Sequence, residues 1–329
     1  MTRRARARPL RSSRPRRSPK PSKARRERGL ALVVVLWTVT ILAVIAASFS
    51  QSTRTGTKIA RNALDNAQAR ALAEAGINRA VLSLFDADPE RRWPTDGSPV
   101  RFAYGGGEIE VSIQDEAGKV DLNSARERLL TGLFEALELP PESRRRLFDR
   151  IADFRDGDDE PRPEGAEDED YRAAGLSLES KDAPFERSDE IEQILGIDPQ
   201  NARKLLPLVT AYSGLPGIDP ESAPREALLA IPDVKRAEVE ALLEARAEPQ
   251  AGDGLRALPT LGGVGSYLAE SPQTHFTIRA DARTANGARF VREALVWLKR
   301  SPGQLFQFLS WRQGDLPVSN DDGAGEPSE

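Results

Sequence analysis

The chain has 329 residues and a formal net charge of −4, with no cysteine and a single histidine, His275. The lack of cysteine excludes a disulfide framework and thiol chemistry. The histidine stands in a strand-like run between Thr274 and Phe276 and reads as structural, so histidine-based catalysis is not expected.

The small net charge conceals two opposed parts. Residues 1–29 hold eleven Arg, two Lys and one Glu, a charge of +12, which leaves −16 on the remaining 300 residues. Residues 2–23 mix these basic side chains with Pro and Ser and contain no aromatic residue, so they read as a solvated, disordered tail. Arg28-Gly29 then opens a run, residues 30–50, without one charge. At about 1.5 Å per residue such a helix can cross a hydrocarbon core of roughly 30 Å. A secretory signal peptide, a plain membrane anchor and a prepilin-type leader cut after Gly29 all remain open. The last is favoured, because it explains an apolar run that starts directly after Gly29 and continues into an amphipathic helix. The basic flank is expected to keep the N-terminus in the cytoplasm by the positive-inside rule, with the bulk of the chain across the membrane. Arg54, Lys58 and Arg61 oppose this orientation but are outnumbered.

Residues 51–88 carry Ile59, Ala63, Ala67 and Ala71 at four-residue spacing, the stripe of an amphipathic helix. The Asp88-Pro89 step is expected to end it. Strands follow at 100–104 and 108–115 around the glycine turn Gly105-Gly106-Gly107. In the second strand Ile109, Val111 and Ile113 alternate with polar residues, as on a half-buried strand. Ser124 is a candidate helix N-cap. Residues 124–265 read as mostly helical, with apolar stripes at Leu129, Leu133, Phe134 and Leu137 and at Leu147, Ile151 and Phe154. Strands return at 274–281 and 288–299 around Asn286-Gly287, a strong hairpin signal. The tail after Asp315 is polar and reads as disordered.

The expected architecture is α+β: a basic leader (1–29), a transmembrane helix segment (30–50) and an amphipathic helix with first strands (51–123). A large helical domain (124–265) is then inserted before the C-terminal strands (266–312) and the tail (313–329).

Residues 153–171 place ten carboxylates in nineteen positions, which calls for a counter-ion or full solvation. Calcium accepts six to eight oxygen ligands in flexible geometry and suits such a loop. Asp156 and Asp158, two apart, can reach one ion, and Glu167 and Asp168 can close it from across the Pro-Arg-Pro turn. The ligand spacing of an EF-hand is missing, and a solvated acidic loop is the alternative. Paired carboxylates also evoke glycoside hydrolysis, but nothing indicates a sugar pocket.

Residues 194–204 resemble a helix–hairpin–helix, whose glycine turn offers amides to a DNA phosphate. A second pair at 230–237 keeps the shape without the glycine. Asp189, Glu190 and Glu192 precede the first pair in an acidic half of the chain, so packing is the preferred reading and no nucleic-acid partner is expected.

Taken in order, Arg28-Gly29 with residues 30–37, Gln68 to Gly76, Asp156 to Pro163 and Gly165 to Asp168 carry a more specific likeness. The helical stretches at 185–195 and 218–229 fit it too. With these the chain resembles the protein K family of the general secretion pathway, the large minor pseudopilins of type II secretion systems. The resemblance implies a pilin-like fold with a large inserted helical domain, cleavage after Gly29 and N-methylation of Leu30 by a prepilin peptidase. It also implies calcium in the inserted domain, with Asp156, Asp158, Glu167 and Asp168 at the matching acidic positions. Implied partners are other minor pseudopilins, the major pseudopilin and the inner-membrane secretion platform. Most pilins carry Glu at the fifth mature position; here it is Val34, as befits a subunit with no neighbour above it. The expected function is therefore a non-enzymatic tip subunit that nucleates or caps a pseudopilus for export of folded proteins. A membrane-anchored DNA-binding protein of a competence-type apparatus is the alternative, and a tethered hydrolase a third.

Overall fold

The charge-free run becomes the first part of one helix, α1 (Ala24–Leu84), in the computed structural model. The structure describes residues 24–88, 91–247, 259, 261, 265–301 and 303–315, with only the backbone at 24–29 and 300. The basic leader up to residue 23, the Pro89 expected to end the helix and the tail after 315 lie outside the described residues. The chain divides into two compact units, Met1–Asn62 and Ala63–Glu329.

In the first unit every side chain from 30 to 50 is exposed; Leu30, Trp37 and Phe49 are 72, 66 and 74 % exposed. This helix is long and apolar enough to cross a membrane. Both threonines of the run turn inward: Thr38 donates to the carbonyl of Val34 at 3.1 Å and Thr40 to that of Leu36 at 2.8 Å. Such back-bonding satisfies these two hydroxyls in an apolar solvent.

In the second unit the C-terminal part of α1 covers a five-stranded antiparallel sheet whose strands lie in the spatial order 96–104, 107–115, 275–284, 289–301 and 304–313. Leu72, Ala73, Ile77, Ala80 and Val81 form one core with Ile109, Val111 and Ile113 and with Phe276, Ile278 and Ala280. The helix stops at Leu84, earlier than the Asp88-Pro89 step. Phe85 donates its N–H to the carbonyl of Leu82 and packs on Phe306, while the Ser83 hydroxyl accepts the N–H of Trp93 at 2.7 Å. The helix ends where Phe85 turns into its contact with Phe306.

Strands β1 (Asp96–Tyr104) and β2 (Gly107–Asp115) meet through a two-residue turn at Gly105-Gly106, with Tyr104 opposite Gly107. Strand β5 (His275–Thr284) pairs with β2 on one side and β6 (Arg289–Ser301) on the other. A further strand, β7 (Gln304–Gln313), closes the far edge.

Between β2 and β5 lies the helical domain. Its elements are β3 (Val120–Asp121), α2 (Glu127–Ala136), α3 (Pro141–Arg155), α4 (Asp168–Ala173), α5 (Pro199–Leu205), β4 (Val209–Thr210), α6 (Arg225–Leu229) and α7 (Arg236–Ala247). A second core gathers Leu129, Leu133, Phe134, Ile151, Phe154, Tyr171, Leu205 and Leu228. The segment is not purely helical, because β3 and β4 pair in parallel and tie residue 120 to residue 209. Ser124 is not an N-cap; Arg126 occupies that position. Ser124 instead bonds Asp121 through both its N–H and its hydroxyl, at 2.9 Å each. Asp121 thus organises the turn after β3, and α2 begins later.

Candidate functional site

Three features bear on function: the start of the apolar helix, the acidic loop, and the joint between the helical domain and the sheet. Gly29 and Leu30 both lie within α1. Val34 follows with no carboxylate anywhere in the apolar run.

The acidic loop closes on the last turns of α3. Asp153, placed within the loop from the sequence, belongs to α3 and is fully buried. Its Oδ2 accepts the N–H groups of Arg162 at 3.1 Å and Ala166 at 3.0 Å. A Cβ on Gly165 would stand 1.7 Å from that oxygen, so only glycine permits this wrapping. The Nη1 of Arg162 donates at 2.5 Å both to Asp153 Oδ1 and to Asp156 Oδ2. One turn earlier on α3, buried Asp149 pairs with Arg145 and accepts the N–H of Glu164 at 3.2 Å.

Glu167 is 4 % exposed, and neither of its carboxylate oxygens receives a hydrogen bond of ordinary geometry; Asp156 Oδ1 is buried and equally unmatched. Burial first, then the negative charges of Asp153, Asp156 and Asp182, push the Glu167 carboxyl up to about 7, against a weaker pull from the Ser180 hydroxyl. Thus the structure brings Asp156 and Glu167 together with Asp153 and Asp182. It places Asp158 and Asp168 in other roles. Asp158 Oδ1 accepts the N–H of Glu160, and Asp168 is divided between Arg172 and the N–H of Ser180. Among the described residues no three acidic or imidazole groups stand as a ready metal cage. Sequence reasoning missed Arg162, Asp153 and Asp182 as parts of one cluster; the Pro-Arg-Pro turn is the signal that marked the loop's closure.

The hairpin-like pair is used for packing. Gly196 has φ +79°, and a Cβ there would stand 2.1 Å from Arg150 Nη1, which donates to the carbonyl of Leu195. The N–H of Leu195 donates to the Tyr171 hydroxyl at 3.1 Å. Both faces of the turn are therefore taken from within the domain.

At the joint, buried Glu116 accepts Lys119 Nζ at 2.6 Å, the Thr277 hydroxyl of β5 at 2.7 Å and the Thr210 hydroxyl of β4 at 2.6 Å. His275 stacks between Tyr212 and Trp297, with ring centroids at 6.2 and 5.7 Å. Burial lowers the His275 imidazole below its usual value, partly offset by Glu116, and raises the Tyr212 phenol to about 12. Burial also raises the Asp115 carboxyl to about 6 and shifts that of Asp219 upward.

A long helix, apolar at its start and packed at its end on an antiparallel sheet that a helical domain interrupts, defines a pilin-like subunit with an insertion. A crystal structure of the GspK-GspI-GspJ complex from the enterotoxigenic Escherichia coli type 2 secretion system has the same fold. Its matching chain aligns with a TM-score of 0.52 and 22 % identity, covering 80 % of this chain and all of that one. Residues 111–214 match the family model of type II secretion system protein K. Type II secretion system protein K of Klebsiella pneumoniae is 27 % identical over 249 residues, 68 % of this chain and 76 % of the relative. Its counterpart in Pseudomonas aeruginosa is 26 % identical over 245 residues, 68 and 73 % of the two chains. The chain is thus similar to type II secretion system protein K, with the family-model match confined to residues 111–214.

Proposed function

We propose that this chain is a minor pseudopilin that sits at the tip of a type II secretion pseudopilus and nucleates or caps its assembly. The observation that carries the reading is the pairing of Val34 with the insertion. A carboxylate in the span is costly without a partner, and a subunit with no neighbour above has none. The helical domain between β2 and β5 adds bulk that a repeating shaft subunit cannot stack upon. Partners are the other minor pseudopilins, as in the GspK-GspI-GspJ complex, together with the major pseudopilin and the inner-membrane platform. Prepilin peptidase cleaves after Gly29 and methylates Leu30, so that α1 anchors in the inner membrane and the rest faces the periplasm. The role is structural and not enzymatic. DNA binding is not favoured, since Tyr171 and Arg150 hold the turn it would use. Immunogold labelling of assembled pseudopili tests the tip position: label at one end supports it, and label along the shaft refutes it.

The acidic loop is proposed to bind calcium. The fit rests on buried, unmatched oxygens of Glu167 and Asp156, beside Asp153 and Asp182, which a hard cation with oxygen preference satisfies. Of the four residues expected from the sequence, Asp156 and Glu167 are the ones so poised. Calcium there supplies charge compensation that fixes the loop on α3. Full-length protein in detergent should melt higher in calcium than in EGTA; equal melting would count against the ion.

A further inference from the structure

We infer that Arg162 is the built-in counter-ion of the acidic loop, a guanidinium that a divalent cation must displace from Asp153 and Asp156. The inference rests on the calcium reading above and concerns a residue that reading leaves out.

One nitrogen of Arg162 serves carboxylates from two segments, Asp153 at the end of α3 and Asp156 in the loop. Asp153 has no exposed surface, so its charge needs a cation, because an isolated buried carboxylate is strongly disfavoured. Arg162 meets that need only in part. It leaves Asp156 Oδ1 unmatched, and Glu167 with no cation, only the capping-box N–H of Asp170 and the Ser180 hydroxyl to face, although these groups share the cluster. A single positive charge with directional donors is too little for this many oxygens. A divalent ion that accepts six to eight oxygens from several directions matches them better. A divalent ion that takes Asp153 Oδ1 and Asp156 Oδ2 together with the free oxygens must displace the guanidinium, which now holds both atoms.

The backbone around Arg162 allows the exchange. Pro161 and Pro163 flank it and restrict the chain, while its own N–H stays bonded to Asp153 Oδ2. The side chain is 38 % exposed, so the guanidinium can leave for solvent while the main chain stays in place. The loop then passes between two charge-compensated states, one with arginine and one with metal, and the arginine sets the calcium affinity lower than the carboxylates alone would.

Full-length protein in detergent is titrated with calcium chloride by calorimetry and melted in EGTA and in saturating calcium. Arg162→Gln should bind calcium about tenfold tighter than wild type. It should melt lower than wild type in EGTA and equally in calcium. Arg162→Lys keeps the charge without the planar fork and should fall between the two, which also provides a reading if Arg162→Gln does not fold in EGTA. Unchanged or weaker calcium binding by both variants would overturn the inference and make Arg162 a permanent part of the loaded site. No heat and no melting shift in wild type and in both variants would remove the calcium reading itself, and this inference with it.

Discussion

The carboxylate of Glu116 accepts the hydroxyl of Thr277 at 2.7 Å, and this bond joins the start of the inserted domain to the central sheet across 161 residues of chain. The same carboxylate holds Thr210 on β4 and the nearly buried Lys119. Glu116→Ala would leave a buried ammonium without its partner, and breaking a buried pair from one side typically costs about 3–5 kcal/mol. Thr277→Val should cost only about 1 kcal/mol, the net worth of one hydrogen bond. Thermal melts of the full chain check both; equal effects would mean that the joint does not depend on the charge.

Acidity should act on the same joint through Asp115. Burial raises its folded carboxyl to about 6, above the usual 3.8, although Ser271 and the N–H of Ala117 pull it down. A folded value above the unfolded one means that the folded state binds the proton more readily. The contribution is fully present below pH 3.8 and is lost as pH rises through about 6. Its size between these limits is about 3 kcal/mol. Asp219, shifted upward by burial, has the same sign, whereas buried His275, with a lowered value, loses stability as pH falls through 6.5. Asp115→Asn should therefore flatten the rise in melting temperature between pH 7 and pH 5 relative to wild type, with the His275 effect common to both. Parallel curves would refute the assignment.

Wrapping of the acidic loop gives a third test. Gly165→Ala would drive a methyl into Asp153 Oδ2, so the loop must leave the carboxylate it encloses. The variant should weaken calcium binding at least about tenfold and lower the melting temperature by several degrees, while Gly157→Ala, with only the Asp182 carbonyl 3.8 Å from a new Cβ, should be mild. Calcium titration of the two variants separates them; similar losses would argue against the close approach at Gly165.

What the sequence makes legible here is what repeats along a few residues. The alternation at Ile109, Val111 and Ile113 marks a strand and its buried face, but the four-residue stripe from Ile59 to Ala71 marks only the helix: all four of its side chains are exposed, and the face that packs on the sheet is Leu72, Ala73, Ile77 and Ala80. Asn286-Gly287 marks the hairpin between β5 and β6 for the same reason. Contacts between distant segments left no such trace. The parallel pairing of Val120 with Val209, the hold of Glu116 on Thr277 and the bridge of Arg162 to Asp153 depend on how segments dock. The carboxylates of the acidic loop could be named from their density, but their partners could not. Asp158 and Asp168 are as acidic as Asp156, and only the fold gives them to Glu160, Arg172 and Ser180.

The turn at Gly196 decides between packing and DNA binding. Phosphate recognition by such a hairpin needs free backbone amides, yet the N–H of Leu195 is bonded to the Tyr171 hydroxyl and Arg150 fills the side where a Cβ would project. Tyr171 has no exposed surface, so Tyr171→Phe removes one buried hydrogen bond and should cost about 1–2 kcal/mol in melting experiments. It should create no DNA affinity, because the acidic residues Asp189, Glu190 and Glu192 still precede the turn. Wild type and Tyr171→Phe should both pass through a duplex-DNA column at about 0.1 M salt, where a protein that neutralises several phosphates is retained and elutes steeply with salt. Retention of wild type would restore the hairpin as a binding element. Retention of Tyr171→Phe alone would show that the tyrosine masks one.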